Sequence, residues 1–328
     1  MLEKFGRIKL GHFPTPIEHL KNISKYLGGP NIFIKRDDCT GLATGGNKTR
    51  KLEFLIPDAI KNKAELVVTV GAVQSNHARQ TAAACTLMGL KCLIILEQRV
   101  KDPPEVYMNS GNVFLDKLYG ADIKICPKNE NFLEYYEKIV EDLKSKGTNV
   151  YFIPGGGSNS IGALGYVECL NEIIKENNKY NFSHIVHATG SSGTQAGLLA
   201  GRKYFNCNIP VIGICIRYDK ATQINRVYTE AKKTCEKLQC SILDKSEVIV
   251  YDEYIGPGYG EPSDSMIEAT KLLAKKEAIL LDPVYSGKGF AGLIGLIKNK
   301  KFTKNDNVLF IHTGGAVSLS AYEWAFNK

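Results

Sequence analysis

The sequence lacks any apolar run long enough to cross a membrane. No stretch approaches the roughly 18 consecutive apolar residues that a membrane helix needs. The first residues, MLEKFGRIKLGHF, also lack the hydrophobic stretch of a signal peptide. We therefore expect a soluble, cytoplasmic protein that does not associate with membranes.

Cysteine is present in an odd number, without a pattern that indicates metal binding. None of the nine cysteines forms a CxxC pair, and the nearest pair, Cys235 and Cys240, has no second ligand pair beside it. In a chain of 328 residues a disulfide framework is also not expected. We expect no metal site, and free thiols in a reducing compartment.

The chain has no basic tail interleaved with aromatic residues, although its net charge is +8. Its 42 basic and 34 acidic side chains are scattered along the sequence. This distribution indicates a solvated surface rather than a nucleic-acid interface.

Two common nucleotide-binding motifs are missing as well. The spacing of Gly190 and Gly193 does not match GxGxxG, and the triple glycine 155–157 is followed by Ser160 where that motif needs glycine. A P-loop fails because Asn47 separates Gly46 from Lys48. A dinucleotide or P-loop nucleotide ligand is therefore disfavoured.

The sequence does contain short apolar runs that alternate with longer segments of helical pattern. Such runs, rich in β-branched residues and bounded by glycine or proline, are typical of strands covered on both faces. Their alternation with helices predicts an α/β protein with parallel sheet. The predicted strands are 66–70, 92–96, 123–126, 150–153, 184–189, 211–216, 248–251 and 308–312, and the predicted helices are 76–88, 133–146, 160–176, 194–205, 222–236, 264–276 and 288–298.

One glycine-rich loop joins a predicted strand to a predicted helix. After His184–Thr189 the sequence continues Gly190, Ser191, Ser192, Gly193, Thr194. A loop of this kind presents N–H groups and hydroxyls at the positive end of a helix, where a phosphate can bind. The alternative is an ordinary tight turn between strand and helix.

Two lysines follow a second glycine pair. In Gly45-Gly46-Asn47-Lys48-Thr49-Arg50-Lys51, Asn47 is a natural N-cap, and Lys48 and Lys51 then share one helix face. One lysine could form a Schiff base while the other holds an anion, because burial and a neighbouring cation lower a lysine's pKa. Two solvated lysines at a helix start are the alternative, and spacing alone does not separate Lys48 from Lys51.

Taken together, these segments resemble the D-cysteine desulfhydrase and 1-aminocyclopropane-1-carboxylate (ACC) deaminase family of pyridoxal 5′-phosphate (PLP) enzymes. The match runs from Pro14-Thr15-Pro16-Ile17 and Ile34-Lys35-Arg36-Asp37-Asp38 to His312-Thr313-Gly314-Gly315-Ala316. The resemblance implies a tryptophan synthase β-like fold (fold type II), with two open, twisted, mainly parallel sheets flanked by helices. It also implies a large PLP-binding domain of residues 1–50 and 160–328, a small inserted domain of residues 51–159, and a homodimer.

The same resemblance implies roles for individual residues. Lys48 would carry the cofactor, with Lys51 near the phosphate and beside loop 190–194. Asn76 would bind the 3′-oxygen of PLP, and Ser75 the substrate carboxylate; for His77 a structural role is equally expected. Two tyrosines would complete the site, where a phenol can relay a proton or orient substrate. These are Tyr259 in Gly-Pro-Gly-Tyr-Gly and Tyr285 in Asp-Pro-Val-Tyr-Ser-Gly-Lys.

Two positions favour one member of the family. The deaminase pattern has Glu after the second tyrosine and Leu in the C-terminal motif, whereas this chain has Ser286 and Thr313. A hydroxyl at the pyridine nitrogen leaves the ring a weaker electron sink than a carboxylate would, which suffices to expel sulfide but not to open a cyclopropane ring. We therefore predict β-elimination of D-cysteine to pyruvate, ammonia and hydrogen sulfide, with Lys48 or a tyrosine as the Cα base.

Several alternatives stay open at this level. ACC deamination and sulfite release from L-cysteate are the enzymatic alternatives. From a different class, the chain could bind PLP as a carrier or sensor without turnover. Substrate handedness depends on which face of the ring carries the base, which residue types do not reveal.

Overall fold

Strands and helices alternate along nearly the whole chain in a computed structural model that describes residues 2–327. Every strand and helix predicted from the sequence is present, and the bounds differ by four residues at most. The strands are β1 Ile17–His19, β2 Asn31–Arg36, β3 Leu66–Ala72, β4 Lys91–Glu97, β5 Asp122–Ile125, β6 Val150–Ile153, β7 His184–Thr189, β8 Val211–Cys215, β9 Ile249–Tyr251 and β10 Asn307–His312. The helices are α1 Lys21–Leu27, α2 Lys48–Lys61, α3 Asn76–Leu87, α4 Glu105–Asn109, α5 Gly111–Leu118, α6 Phe132–Ser145, α7 Leu164–Tyr180, α8 Gly193–Tyr204, α9 Lys220–Leu238, α10 Asp264–Glu277, α11 Ser286–Lys298 and α12 Glu323–Phe326.

The larger sheet has six strands in the order β1-β2-β10-β7-β8-β9. Only β1 runs antiparallel, pairing Ile17 with Lys35 of β2. Strand β10 lies between β2 and β7, and its residues from Val308 to Ile311 are fully buried. Burial on both faces explains why this segment is a continuous apolar run in the sequence.

The smaller sheet has four parallel strands in the order β5-β4-β3-β6. All four come from residues 66–153, between two stretches of chain that build the larger sheet. Its core also takes in Val284, Ala321 and Tyr322 from near the C-terminus. The two-sheet α/β architecture confirms the predicted fold class, while the domain limits 51–159 and 1–50 with 160–328 stay a prediction.

Several motif residues near the N-terminus belong to a buried ion network beneath helix α2. Arg50 donates to Asp37 at 2.8 Å and to Glu172 at 2.8 Å, and Lys35 donates to Glu172 at 2.7 Å. Thr15 also donates to Asp37, at 2.8 Å. Burial by itself would raise the pKa of Asp37, but the Arg50 charge outweighs it and the pKa is lowered. The network ties α2, which begins with Lys48, to the larger sheet and to α7.

No helix within residues 2–327 combines the length and apolar character needed to span a bilayer.

Candidate active site

Two adjoining cavities lie where strands of both sheets end. The inner cavity is lined by Asn47, Lys48, Asn76, His77, Ala188, Thr189, Gly190, Ser191, Thr194, Tyr285 and Thr313. The outer cavity, of about 750 Å³, shares Lys48, His77, Gly190, Ser191 and Tyr285 with it. The carboxyl ends of β3, β7 and β10 therefore supply one common site, as open α/β sheets do.

Lys48 is the first residue of α2 and lies at the boundary of both cavities. Its side chain is buried, and its Nζ donates to Asn47 Oδ1 at 2.9 Å. Burial lowers the pKa of Lys48 to about 8, with a further lowering by Arg79 and an opposing effect of Asp282. Since a lower pKa leaves more of the amine neutral, Lys48 is suited to attack an aldehyde.

Asn47 precedes α2, but it does not cap the helix as the sequence predicted. Its side chain makes no capping hydrogen bond. Instead it accepts from Lys48 and donates to Thr194 Oγ1 at 3.3 Å. The Asn47 amide forms hydrogen bonds inside the site, with the lysine and with the glycine-rich loop, and none with the helix N-terminus. The capping prediction is therefore wrong.

Lys51 lies one turn further along α2, fully buried beneath the glycine-rich loop. Its Nζ donates to the Gly156 carbonyl at 2.9 Å and to Ser158 Oγ at 3.4 Å. Burial and then the Lys48 charge lower the pKa of Lys51 well below its usual value. Glu230 opposes this lowering only in part, so the site still favours a ligand that brings negative charge to the buried lysine.

Ser158 fastens the loop of residues 155–158 to the glycine-rich loop, and sequence reasoning missed it. Its hydroxyl donates to the Ser191 carbonyl at 2.8 Å and accepts from the Gly193 N–H at 3.2 Å. The sequence shows this serine only as the residue after a triple glycine, without indicating its partner.

The glycine-rich loop has the geometry of an anion cradle. A Cβ on Gly193 would come within 2.8 Å of Ser158 Oγ and 3.0 Å of Lys51 Nζ, so the close approach of loop and lysine needs glycine there. Helix α8 begins at Gly193, and within residues 2–327 the N–H groups of Ser192 and Thr194 donate to no protein acceptor. Free N–H groups at the positive end of a helix, above a buried lysine, are suited to a phosphate.

Asn76, at the start of α3, is held in one orientation by two side chains that sequence reasoning missed. Its Oδ1 accepts from Arg79 at 2.9 Å and from Asn112 Nδ2 at 3.1 Å. This leaves Asn76 Nδ2 as the group facing Gly315, where an added Cβ would come within 2.3 Å of it. Asn76 therefore offers a donor, and not an acceptor, to a ligand in the inner cavity.

Ser75 and His77 flank Asn76 but serve different purposes. Ser75 is the N-cap of α3, accepting from the Ala78 N–H at 3.1 Å, and it lines the outer cavity. His77 Nε2 lies 2.8 Å from Thr69 Oγ1, which itself donates to the Ile153 carbonyl. Burial and the nearby lysine charges lower the pKa of His77 well below its usual value, so the ring is neutral and braces α3 against β3.

Tyr259 and Tyr285 meet through their hydroxyl groups at the wall of the outer cavity. The rings cross at 78°, and Lys48 Nζ lies 5.9 Å from the centre of the Tyr285 ring. Burial and the neighbouring Tyr259 raise the pKa of Tyr285 well above its usual value. Tyr285 thus keeps its proton at neutral pH and is able to donate a hydrogen bond.

The loop that carries Tyr259 is held by Lys288, another residue whose role the sequence did not reveal. Lys288 is fully buried, and its Nζ donates to the carbonyls of Ile255 and Gly258 at 2.6 Å each. The lysine follows Tyr285 by one turn of α11, so a single helix start positions both tyrosines.

Ser286 and Thr313 are in different situations. The Ser286 hydroxyl donates to Asp282 Oδ1 at 2.6 Å and accepts from the Asp282 N–H at 2.7 Å, and Ser286 lines neither cavity. The hydroxyl proton of Ser286 is therefore used in the turn that precedes α11 and is not free to bind a ligand. Thr313 lines the inner cavity, and its hydroxyl has no partner among the described residues. Of the two predicted donors to the pyridine nitrogen, Thr313 is the one available.

The structure thus brings together most of the residues that the sequence singled out. Those that line one or both cavities are Lys48, Ser75, Asn76, Gly190, Ser191, Ser192, Thr194, Tyr259, Tyr285 and Thr313. Lys51 and Gly193 lie directly beneath, and Ser286 lies behind the wall. Within residues 2–327, no group of His, Cys, Asp or Glu side chains is arranged to hold a metal ion.

This donor set fits PLP. A near-neutral buried amine at Lys48 matches the aldehyde, and the α8 N-terminus with Lys51 matches the phosphate. The free Nδ2 of Asn76 and the unpartnered hydroxyl of Thr313 match the two polar atoms of the ring, an oxygen and a nitrogen.

Comparisons with known proteins agree with this fit. A solved structure of an ACC deaminase homologue superposes with a TM-score of 0.90 at 36% identity, covering 99% of this chain and 97% of that one. An O-ureido-L-serine synthase matches at a TM-score of 0.68 and 15% identity, covering 96% of this chain and 93% of its own. A hydrogen sulfide-producing enzyme from Fusobacterium nucleatum matches at a TM-score of 0.64 and 17% identity, covering 92% of this chain and 95% of its own. The last two, at such low identity, show the fold alone.

The family model described as "Pyridoxal-phosphate dependent enzyme" matches residues 8–314, nearly the entire chain. This match also confirms the cofactor predicted from the sequence. The chain belongs to the family of pyridoxal-phosphate-dependent enzymes.

Proposed function

We propose that this enzyme eliminates hydrosulfide from D-cysteine and releases pyruvate and ammonia. The observation that carries the proposal is the lining of the inner cavity, which contains the Thr313 hydroxyl and, among the described residues, no carboxylate. A hydroxyl donor leaves the pyridine nitrogen unprotonated, and the weaker electron sink that results is sufficient when the leaving group is sulfide.

Bound PLP supplies an electron-accepting ring that stabilises negative charge at the substrate Cα. The chain's own side chains would bind the substrate and move its protons. Ser75 and the N-terminus of α3 bind the substrate carboxylate, and glycine at position 71 leaves room for the Ser75 side chain, because a Cβ there would lie 2.6 Å from Ser75 Oγ. The chain thereby holds the substrate between α3 and the tyrosine pair.

Lys48 and the tyrosine pair have different tasks because their pKa values differ. Lys48, with a pKa of about 8, is the better base and takes the Cα proton. Tyr285 stays protonated because its pKa is raised by burial and by Tyr259. The tyrosine pair therefore donates a hydrogen bond to the sulfur as the Cβ–S bond breaks, and hydrosulfide leaves with the bonding electrons.

ACC deamination is the second candidate, favoured by the 36% identity to a structure described as an ACC deaminase homologue. That reaction opens a cyclopropane ring without a heteroatom leaving group and should need a stronger electron sink. This chain has Ser286, which carries no carboxylate, in the position where the deaminase pattern has Glu.

Product analysis separates the candidates. The PLP-loaded protein is offered D-cysteine, L-cysteine and ACC, and sulfide, pyruvate, 2-oxobutyrate and ammonia are quantified. We expect sulfide and pyruvate from D-cysteine in equal amounts. Formation of 2-oxobutyrate from ACC without sulfide from D-cysteine would identify a deaminase, and a PLP-loaded protein that turns over neither would favour a carrier or sensor.

Two variants test the residue roles. Lys48→Ala should lose the visible absorbance of lysine-bound PLP. Thr313→Val removes only the hydroxyl and should lower kcat/KM for D-cysteine about tenfold, the value of one hydrogen bond. Thr234→Val is the matched control, since the Thr234 hydroxyl donates to the Glu230 carbonyl and lies outside both cavities. Equal activity of the Thr313 and Thr234 variants would refute the role of Thr313.

A further inference from the structure

Asp116, in helix α5, is a buried carboxyl group that the proposed reaction does not use. Its side chain is 0% exposed and lines neither cavity. Neither of its carboxyl oxygens has a hydrogen-bond partner among the described residues. Because a buried carboxyl without donors is costly, its presence indicates a role other than packing.

The charge that most affects Asp116 is that of Arg79, on helix α3. Nη1 and Nη2 of Arg79 donate, at 2.9, 2.5 and 2.8 Å, to three neutral amide oxygens, those of the Asn76 side chain, the Asn112 side chain and the Gly45 backbone. The Nε of Arg79 is buried and, within residues 2–327, has no acceptor. The hydrogen bonds of this guanidinium therefore leave its positive charge unbalanced, and Asp116 supplies a nearby negative charge.

A short chain of contacts connects Asp116 with the inner cavity. Asp116 and Asn112 lie one turn apart on the same face of α5. Asn112 and Arg79 both donate to Asn76 Oδ1, and this leaves Asn76 Nδ2 for a ligand. The charge of Asp116 can thus influence Asn76 through one intervening guanidinium group.

The two charged groups differ in how readily they lose or gain a proton. Burial raises the pKa of Asp116 to about 8, against the opposing effect of Arg79. Burial lowers the pKa of Arg79 to about 10, opposed first by Asp116 and then by Tyr119 and Asp282. Near neutral pH, Asp116 therefore exchanges its proton while Arg79 stays charged.

The segments packed around α5 carry other titratable side chains. The buried ones are His77 and Cys85 of α3, Cys92 of β4, Tyr107 of α4, and Tyr322 after β10. Burial lowers the pKa of His77 and raises those of Tyr107 and Tyr322, so these three stay neutral. The charged side chains of α4, α5 and β5, namely Glu105, Lys117, Asp122 and Lys124, are exposed to solvent.

We propose that Asp116 is a positioning residue whose gain and loss of a proton sets, through Arg79, how strongly the Asn76 amide donates to the 3′-oxygen of PLP. When Asp116 is ionised, it partly cancels the positive charge of Arg79. When Asp116 is protonated, the full charge of Arg79 polarises the Asn76 amide, and Nδ2 becomes a stronger donor. The inference concerns the cofactor site and holds whichever substrate the enzyme uses.

The protonation of Asp116 is measured without the cofactor. A protonated carboxyl and an ionised carboxylate absorb at different infrared frequencies, so the difference between apo-protein spectra of the wild type and Asp116→Asn reports this one group. We expect the protonated band at pH 6 and its loss at higher pH, with a midpoint near 8. An Asp116 that is already ionised at pH 6, as its ordinary pKa of about 3.9 would require, overturns the inference.

The effect on the cofactor is read from the pH at which the visible absorbance of lysine-bound PLP titrates. Asn has the shape of Asp without its charge, so in Asp116→Asn the full charge of Arg79 acts on Asn76 at every pH. We expect the midpoint to fall by about one unit, the size expected for a single charge acting in a buried site. Asp122→Asn removes an exposed carboxylate from strand β5 and is the matched control, which should leave the midpoint unchanged.

A double variant tests whether Arg79 transmits the effect. In an Arg79→Met background, Asp116→Asn should leave the midpoint where Arg79→Met alone puts it, because no guanidinium remains between the carboxyl and Asn76. A carboxyl with only a structural role would change the melting temperature of the apo-protein and leave the midpoint of the wild type unaltered. That result, or an equal shift in both backgrounds, would overturn the inference.

Discussion

Replacing Lys51 by Met should change cofactor affinity and apo-protein stability in different directions. The Lys51 ammonium is fully buried between Gly156 and Ser158, and burial lowers its pKa well below the usual value, so the apo-protein bears the cost of holding this charge. Phosphate would convert this cost into a charge-assisted hydrogen bond of about 1.5–3 kcal/mol. We expect PLP to bind about 10- to 150-fold more weakly to Lys51→Met, while the apo-protein melts at the same temperature or higher.

The assay is a titration of apo-protein with PLP, followed by visible absorbance in buffer without phosphate. Pyridoxal, which lacks the phosphate, should bind the wild type and Lys51→Met equally well, so the difference between the two ligands isolates the phosphate contact. Lys61→Met, exposed in the last turn of the same helix, controls for the loss of one charge. The reasoning fails if Lys51→Met weakens pyridoxal binding as much as PLP binding. It also fails if the stability of the apo-protein falls together with its affinity for PLP.

Three further predictions concern pH and orientation. The rate at which apo-protein captures PLP should rise with pH and level off near the Lys48 pKa of about 8; a rise continuing towards the ordinary lysine value of about 10.4 contradicts this. Arg79→Met should free the Asn76 amide and raise by about one unit the pH at which the visible absorbance of bound PLP titrates, since one hydrogen bond to the 3′-oxygen is lost. Asp37→Asn should lower the unfolding free energy by about 3–5 kcal/mol at pH 7 in guanidinium denaturation. The pKa of Asp37 is lowered in the folded state, so the Asp37 carboxylate stabilises the fold fully above about pH 4 and loses this effect as the pH falls further. The difference in unfolding free energy between the wild type and Asp37→Asn must therefore become smaller below about pH 4.

The strands and helices could be predicted because their apolar pattern is local. Runs such as Val308–Ile311 are buried on both faces and are therefore apolar throughout, which the sequence displays directly. Strands β1 and β2 were missed as strands. Ile17–His19 is short and mostly exposed. Asn31–Arg36 carries an arginine and a buried lysine, and the charge of that lysine is matched by the distant Glu172.

Asn47 illustrates how a local rule can fail at a functional site. Its residue type and its place in the sequence are those of an N-cap, yet its backbone is helical and its amide forms hydrogen bonds with Lys48 and Thr194. Thr194 is far away in sequence, and only the meeting of α2 with the glycine-rich loop gives the amide a better partner.

By itself, the sequence determined the alternation of strands and helices, because apolar periodicity is a property of neighbouring residues. Its resemblance to a known family, carried by short motifs, implied the two-sheet fold, the cofactor and the residues expected around it. Only the tertiary structure decided how these residues are used. It orients Asn76 through Arg79 and Asn112, commits the Ser286 proton to Asp282 while leaving Thr313 free, and brings Arg99 and Arg217 to one tyrosine. Hydrogen bonds and charges act through space over a few ångströms, so their partners depend on which distant segments fold together.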